Sequence, residues 1–322
     1  MLREAMVQAS PDPAAPSIAW RWDALDQAQW TALLGRATLP TLEQCWAYGA
    51  AIESVSPYRA HRGVAWQDGR PVALVQLFAR RVGPVTIAKI LRGPLALEPL
   101  DPPAALAMLR PIAASWRIRR LRPLFWLPEP PADAPAMRLL GKRPMVVGNA
   151  TARLDLDADE QALRDRLDGK WRNQLTRAER SALRVQTDRG GRMMEWLAAQ
   201  HEAFRRAGRH RGPSDRELRA LVGAMHPRED ALVLTAFDRA RPVAGILVAV
   251  HGRGATYHVA WTGDEGRRLC AHNLLLWHAV LALRRRGVAF LDLGGLDARA
   301  PGVARFKLGL GAQVVPLAAT YL

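Results

Sequence analysis

At 322 residues the chain has room for two domains of ordinary size, each with its own core. Apolar residues at 49% and charged residues at 24% exclude a disordered polymer, and two cysteines, Cys45 and Cys270, exclude both a disulfide framework and a cysteine-rich metal cluster. A formal net charge of +16 points to anionic partners: nucleic acid, a phosphorylated substrate or an acidic lipid surface.

Residues 1–17 carry no apolar h-region and are expected to form a disordered lead-in rather than a secretory signal. No run of eighteen apolar residues is free of charge, so no membrane-spanning helix is expected, and a cytoplasmic protein is the expectation. Residues 64–82 alternate around Asp68 and Gly69, a hairpin in which the glycine supplies a positive φ. An apolar-periodic helix over 104–116, a strand over 124–127 and the short segment AMRLLGKRPMVV follow. The best helical pattern spans 160–183, with Leu163, Leu167, Trp171, Leu175 and Ala182 on one stripe joined by Ala178, and Asp157 and Asp159 at its start. Its polar faces carry Lys170, Arg172, Arg177, Arg180 and Arg184, and residues 170–211 hold eleven basic against four acidic residues. Such a run is either a solvated face or a phosphate-binding one. A second hairpin over 232–251, a helix over 273–285, a strand over 288–293 and the segment RFKLGLGAQVV complete the chain.

The two halves match. RPVA occurs at 70–73 and again at 241–244, and the hairpin, helix, strand and closing segment recur in phase at offsets between about 165 and 171. A duplicated α/β unit is expected, with domains at 18–150 and 151–322 and with Arg138 opposite Lys307.

Only four of the 46 basic residues are lysines, and after Lys170 the sole one is Lys307, beyond the strand end FLDLGGLDARAPG. Lysine and arginine differ where a compact charge of adjustable pKa must reach a small target, which marks Lys307 as a candidate catalytic residue. Gly294 and Gly295 end a strand where the backbone turns or approaches a ligand. Asp292 is read in two ways, as a proton acceptor for an attacking amine or as a strand-end cap of backbone N–H groups. Phe306 reads as a core aromatic that fixes its neighbour, and His251 and His258 read as strand-face residues.

These residues resemble a family. The segment from Ala150, where Lys170, Arg172 and Ala178 approximate a K-x-R-x-x-x-x-A pattern, and DLGG about a dozen residues ahead of FKLGLG, are similar to the FemABX peptidyltransferases and to broader FemAB-like GNAT proteins. The resemblance implies two tandem GNAT-like domains of α/β class, each a mixed central sheet flanked by helices. It implies an acyltransferase that moves an aminoacyl or acyl group onto an amine of a cell-envelope precursor or small molecule. Phe306 and Lys307 match the family's FK pair, the lysine being placed at the reacting ester.

Tyr257, Trp261, Gly294, Gly295 and Arg59 are the implied substrate-binding residues, and Lys170, Arg172, Arg177, Arg268, His272 and Asn273 the donor-binding ones. No cofactor or metal is implied, acyl-CoA being possible as a donor. Aminoacyl-tRNA is favoured over acyl-CoA, because RLCAHN (Arg268 to Asn273) lacks both glycines of the pyrophosphate loop; His272 and Asn273 are read there as helix caps. The first domain departs from the family. Gln44 and Trp46 stand in its Q-x-x-x-W region without the lysine that follows, leaving Arg59 and Arg62 as the nearby cations, and RGPLALE has Glu98 as its first acid. The remaining readings are peripheral contact with an anionic membrane surface and a non-catalytic nucleic-acid-binding scaffold.

Overall fold

The computed structural model describes residues 18–117, 121–129, 134–146, 148–189, 191–208, 212–225 and 228–322. The expected N-terminal lead-in over 1–17 lies outside the described residues, as does Arg211 at the end of the basic run. Two compact units form, one from the residues up to Asn149 plus Pro316–Leu322, the other from Ala150–Val315. The last seven residues thus join the first unit, where the sequence reading had assigned them to the second.

The first unit contains β1 (Ile18–Trp22), α1 (Gln27–Leu34), α2 (Trp46–Val55), β2 (Arg59–Gln67), β3 (Arg70–Val82), β4 (Val85–Leu91), β5 (Leu95–Ala96), α3 (Pro102–Ser115), β6 (Leu124–Leu127), α4 (Ala134–Leu139) and β7 (Pro144–Val146). The second contains β8 (Ala150–Asp155), α5 (Glu160–Asp165), α6 (Gly169–Glu179), β9 (Leu183–Asp188), α7 (Arg192–Arg206), α8 (Asp215–Ala224), β10 (Ala231–Asp238), β11 (Arg241–His251), β12 (Gly254–Thr262), α9 (Asp264–Arg268), α10 (Ala271–Arg285), β13 (Phe290–Leu296), α11 (Pro301–Gly309) and β14 (Gln313–Pro316). The chain then returns to the first unit as β15 (Thr320–Tyr321).

Each unit is built on a mixed sheet, ordered β1-β2-β3-β4-β6-β15-β7 in the first (with β5 beside β3) and β14-β8-β13-β12-β11-β10-β9 in the second. Each sheet contains a parallel junction, β4 with β6 and β12 with β13, bridged by the crossover helices α3 and α10. The duplication extends to register. Ala65 faces Ala73 and a bulge follows at Trp66; 171 residues on, Ala236 faces Ala244 and a bulge follows at Phe237. The cause is shared: Pro71 and Pro242 have no N–H to give to the ladder, and their own strands bulge at the next residue, Val72 and Val243. In the second unit Trp171, Leu175, Leu275 and Trp277 of α6 and α10 share one core with Ile246, Val248 and Leu291 of the sheet.

Two expectations change. The predicted 160–183 helix is three elements, because Asp168 caps a new helix at Gly169, accepting from the N–H groups of Lys170 and Trp171, and the chain past Glu179 turns into β9. The counterpart of Lys307 is Met137, not Arg138. Gly141 and Gly311 both close their helices at positive φ (69° and 91°), and aligning them pairs Lys307 with the fully buried Met137 while Arg138 is exposed.

Gln44 has a structural task. Fully buried, it donates to the Gln76 and Leu91 carbonyls (3.2 and 2.8 Å) and accepts from the Gln76 N–H (2.6 Å), tying the entry of α2 to β3 and β4. Gln44→Ala orphans the Gln76 N–H and the Leu91 carbonyl and should cost about 2–4 kcal/mol. Denaturant titration measures it; a loss under about 0.5 kcal/mol would show that these groups find other partners.

Candidate active site

The second sheet opens at its parallel junction. β12 and β13 pair through Gly254–Phe290, Ala255–Leu291 and Thr256–Asp292, and then part. A bulge in the β11–β12 ladder at Val248 bends β12 at the same level. Beyond the last pair lies a cleft of about 780 Å³, lined by Tyr257 and His258 of β12, Gly294 and Gly295 of β13, Lys307 of α11, and Phe204 on the far wall.

Lys307 reaches the cleft from the last turn of α11. Its ammonium donates to the Gly295 carbonyl at 2.8 Å, and the residue is only 9% exposed. Burial lowers its pKa below the ordinary lysine value, and the negative charge of Asp292 partly offsets this. Asp292 itself is 2% exposed and does not line the cleft. Its Oδ1 accepts from the Thr151 hydroxyl (2.5 Å) and from the Gly294 N–H (2.8 Å), so of its two readings the structure supports the strand-end cap. That cap holds Gly294 at φ +79°, and an added Cβ there would also sit 3.6 Å from the Lys307 Nζ.

The inner end of the opening is filled. His272 receives or gives hydrogen bonds at both ring nitrogens, Nε2 with the Tyr257 hydroxyl (2.6 Å) and Nδ1 with the Thr262 hydroxyl (2.7 Å), and its ring meets Phe306 edge-on at 5.2 Å. Burial depresses the His272 pKa to about 4 and pushes the Tyr257 phenol up, so the cluster is neutral at pH 7. The expected capping role is not what His272 does: α10 is capped at Cys270, whose φ is +55°. That left-handed residue occupies the place a glycine would take, so the pyrophosphate-loop register runs from Arg267 through Cys270 to His272, one residue before the expected one. In this register an imidazole stands where the second small residue would leave room, and these residues do not fit a CoA pyrophosphate and its pantetheine arm.

On the other flank of α11 lies a second cavity of about 580 Å³, lined by Lys170, Trp171 and Gln174 of α6 and by Arg305, Phe306 and Gly309 of α11. Trp171 donates its indole N–H to the Phe306 carbonyl at 3.1 Å, and the two rings lie 6.0 Å apart. Phe306 therefore packs, as expected, between Trp171 and His272, while its neighbour faces the cleft.

Of the implied donor residues, only Lys170 lines this cavity. Arg172 folds back onto the carbonyls of Asp165 and Leu167, Arg177 is exposed on α6, Arg268 pairs with Glu265 on its own short helix, and Asn273 is buried against Gln174. Trp261 packs edge-on against Trp196 at 5.4 Å, outside the cleft lining. In the first unit Arg59 is exposed at the start of β2, and Arg62 is buried with its guanidinium 3.7 Å over the Trp46 ring. His251 bonds the Thr256 hydroxyl at 2.8 Å. His258, by contrast, lines the cleft with its pKa held near 4 by burial and by His201. The sequence marks His258 as a strand-face residue without showing that its face is the cleft, and it does not single out Arg305. Arg305 stands two residues before Lys307, and nothing in a run of arginines distinguishes it.

A mixed sheet whose parallel junction is spanned by a crossover helix, present twice in one chain, defines the tandem GNAT class of fold. Residues 167–308 match the family model of an acetyltransferase (GNAT) domain. No curated protein matches the chain in sequence. Among solved structures it is similar to FemX, with a TM-score of 0.79 at 14% identity over 94% of this chain and 96% of that one. It is similar to a tandem GNAT protein from the clavulanic acid biosynthesis pathway (TM-score 0.57, 14% identity, 95% and 98% of the two chains). It also resembles the C-terminal domain of a putative lysylphosphatidylglycerol synthetase from Agrobacterium fabrum (TM-score 0.54, 15% identity, 92% and 91%). The chain has the FemX-like tandem GNAT fold, and most of its second unit matches the acetyltransferase (GNAT) domain model.

Two stability measurements probe the site. Lys307→Met, which installs the residue the first unit buries at the matching position, removes a desolvated charge and should leave unfolding unchanged or raise stability by about 1 kcal/mol. A clear destabilisation would show the ammonium to be a structural group. His272 has a folded-state pKa below its ordinary 6.5, so its contribution is fully present above pH 6.5 and lost as pH falls through about 4. His272→Gln should make the fall in unfolding free energy across that window shallower, and an unchanged slope would place the acid sensitivity elsewhere.

Proposed function

We propose that the chain transfers an aminoacyl group from the ester of an aminoacyl-tRNA onto an amine of a cell-envelope precursor or small molecule. The observation that carries this reading is the pairing of a buried Lys307 ammonium in the cleft with a filled splay at His272, Tyr257 and Phe306. The first suits an acyl transfer, and the second argues against a CoA thioester held by the helix N-terminus. FemX, the similar structure covering most of both chains, supports the same reading at the level of fold.

In this reading the acceptor amine enters the cleft as the free base and attacks the ester carbonyl. The carbon–nitrogen bond forms, and negative charge gathers on the carbonyl oxygen. The Lys307 ammonium has one donor on the Gly295 carbonyl and two left, and a cation already fixed in a low-dielectric cleft stabilises that oxyanion without reorganising. Collapse breaks the carbon–oxygen bond to the ribose. The proton shed by the amine ends on the ribose hydroxyl, giving an amide and a deacylated tRNA. Lys170 and Arg305, on the other flank of α11, stand as the phosphate contacts of the donor. Among the basic residues expected to bind the donor, Arg172 gives up this role to Arg305, because its guanidinium serves the α5–α6 turn.

An acyl-CoA donor is the second reading, favoured by the match to an acetyltransferase family model. Thermal shift with CoA thioesters, set against binding of charged and uncharged tRNA, separates the two. Stabilisation by a CoA ester alone would overturn the tRNA donor. With the true donor and acceptor, Lys307→Ala should keep the fold and lose about 10²–10³-fold in kcat. Lys307→Arg should recover little, because a planar fork does not fit the place of a compact ammonium. Neutralising Lys170 and Arg305 should weaken tRNA binding uniformly across sequences and flatten its salt dependence by about one per residue. Wild-type turnover in Lys307→Ala would sink the catalytic assignment.

A further inference from the structure

The duplication leaves one groove covered in the second unit and open in the first. In the second unit the turn between α5 and α6 lies on the end of α11. The Asp168 N–H donates to the Gly309 carbonyl at 2.9 Å, Trp171 lies against Gly309, and Arg166 lies within about 3 Å of where a Gly311 Cβ would project. At the matching place in the first unit nothing lies within 4 Å of the Cβ position of Gly141, and Leu139 is 75% exposed. A cavity of about 440 Å³ opens there between α3 and the end of α4.

Three cations surround this cavity, and the carboxylate of Leu322 stands at its side. Arg110 and Arg117 of α3 and Lys142 after α4 line it, with Ala113 and Leu139 as the apolar floor and rim. Among the described residues, none of the three cations has a carboxylate partner within ion-pair reach. Arg117 repels the Lys142 ammonium, which burial also disfavours, and the amine donates only to the Trp116 carbonyl at 3.3 Å. A like-charged trio turned to one opening is costly unless an anion joins it. Trp116 also lines the cavity and is 1% exposed, with its indole N–H sealed from solvent, and Arg122 stacks on its ring at 4.3 Å.

We propose that this cavity of the first unit binds a phosphate group, carried by a soluble phosphate or diphosphate ester or by an anionic lipid headgroup. Two guanidinium forks match phosphate oxygens in pairs, and the ammonium supplies a point charge between them. The volume exceeds a single phosphate and leaves room for a second one or for an apolar portion against Leu139. This site belongs to the unit without the catalytic lysine and stands whether or not the transferase reading holds.

The scarcity of lysine supplies the test. Reductive methylation of the full chain, read by peptide mass spectrometry, reports Lys142 separately from Lys89, Lys170 and Lys307, with Lys89 as internal reference. The experiment has three arms: no addition, inorganic pyrophosphate, and vesicles of phosphatidylglycerol in phosphatidylcholine, all at physiological salt. Selective slowing of Lys142 labelling is expected, and it should vanish in Arg110→Ala/Arg117→Ala, both exposed positions whose change leaves the core intact. Slowing by pyrophosphate identifies a soluble phosphate ligand, and slowing by the vesicles alone a lipid headgroup. Unchanged Lys142 labelling in both arms, or protection that survives the double substitution, overturns the site.

Discussion

Everything in the second unit depends on the parting of two parallel strands. Within a sheet the backbone groups of neighbouring strands satisfy one another, and after Thr256 and Asp292 that arrangement stops between β12 and β13. The freed space and the freed groups are then used. Asp292 takes the Gly294 N–H and the Thr151 hydroxyl, which sets the turn of β13, and the Gly295 carbonyl becomes the seat of the Lys307 ammonium. A buried lysine keeps its charge only where an acceptor and a nearby negative group offset the loss of water, and both are present within one short stretch of β13. The same parting admits His272, Tyr257 and Phe306 at its inner end. One discontinuity in a hydrogen-bond ladder thus both makes the cleft and gives His272, Tyr257 and Phe306 the space they fill.

The first unit shows what the same scaffold does without that task. Its parallel junction keeps four register pairs, Ala88–Leu124 to Leu91–Leu127, and β15 flanks β6 as β8 flanks β13. The position of Lys307 is held by Met137, an apolar side chain that fills its site with no polar partner to find. At this position the cost of a buried ammonium is carried in one copy only, the copy whose strands part.

Much of this was legible along the chain. Hairpins, crossover helices and closing strands repeat at a nearly constant offset because strand and helix periodicities are local, and a proline placed two residues from a turn produces the same bulge in both copies. The departures are equally physical. A continuous apolar stripe over 160–183 does not reveal that Asp168 offers a better cap than a helix interior tolerates. The alignment of Lys307 with Arg138 follows charge, whereas the folded chain aligns the two left-handed glycines and so pairs Lys307 with Met137. The register of the degenerate phosphate loop was set by residue type, and the backbone conformation of Cys270 moves it by one. Arg172, read as a phosphate contact, spends its donors on the carbonyls at the end of α5.

By itself the amino-acid sequence determined the duplication, the α/β class, and the single lysine that follows a glycine-ended strand. These rest on periodicity and composition, which act over a few residues at a time. Only the tertiary structure decided which side chains share a cavity. Lys307 and His258 meet across elements nearly fifty residues apart, Phe306 turns away from its neighbour to pack on Trp171, and His272 leaves its helix end to bridge Tyr257 and Thr262. Adjacent residues on a helix point in different directions, and distant ones are brought together only when a sheet and its crossover helix close around one core.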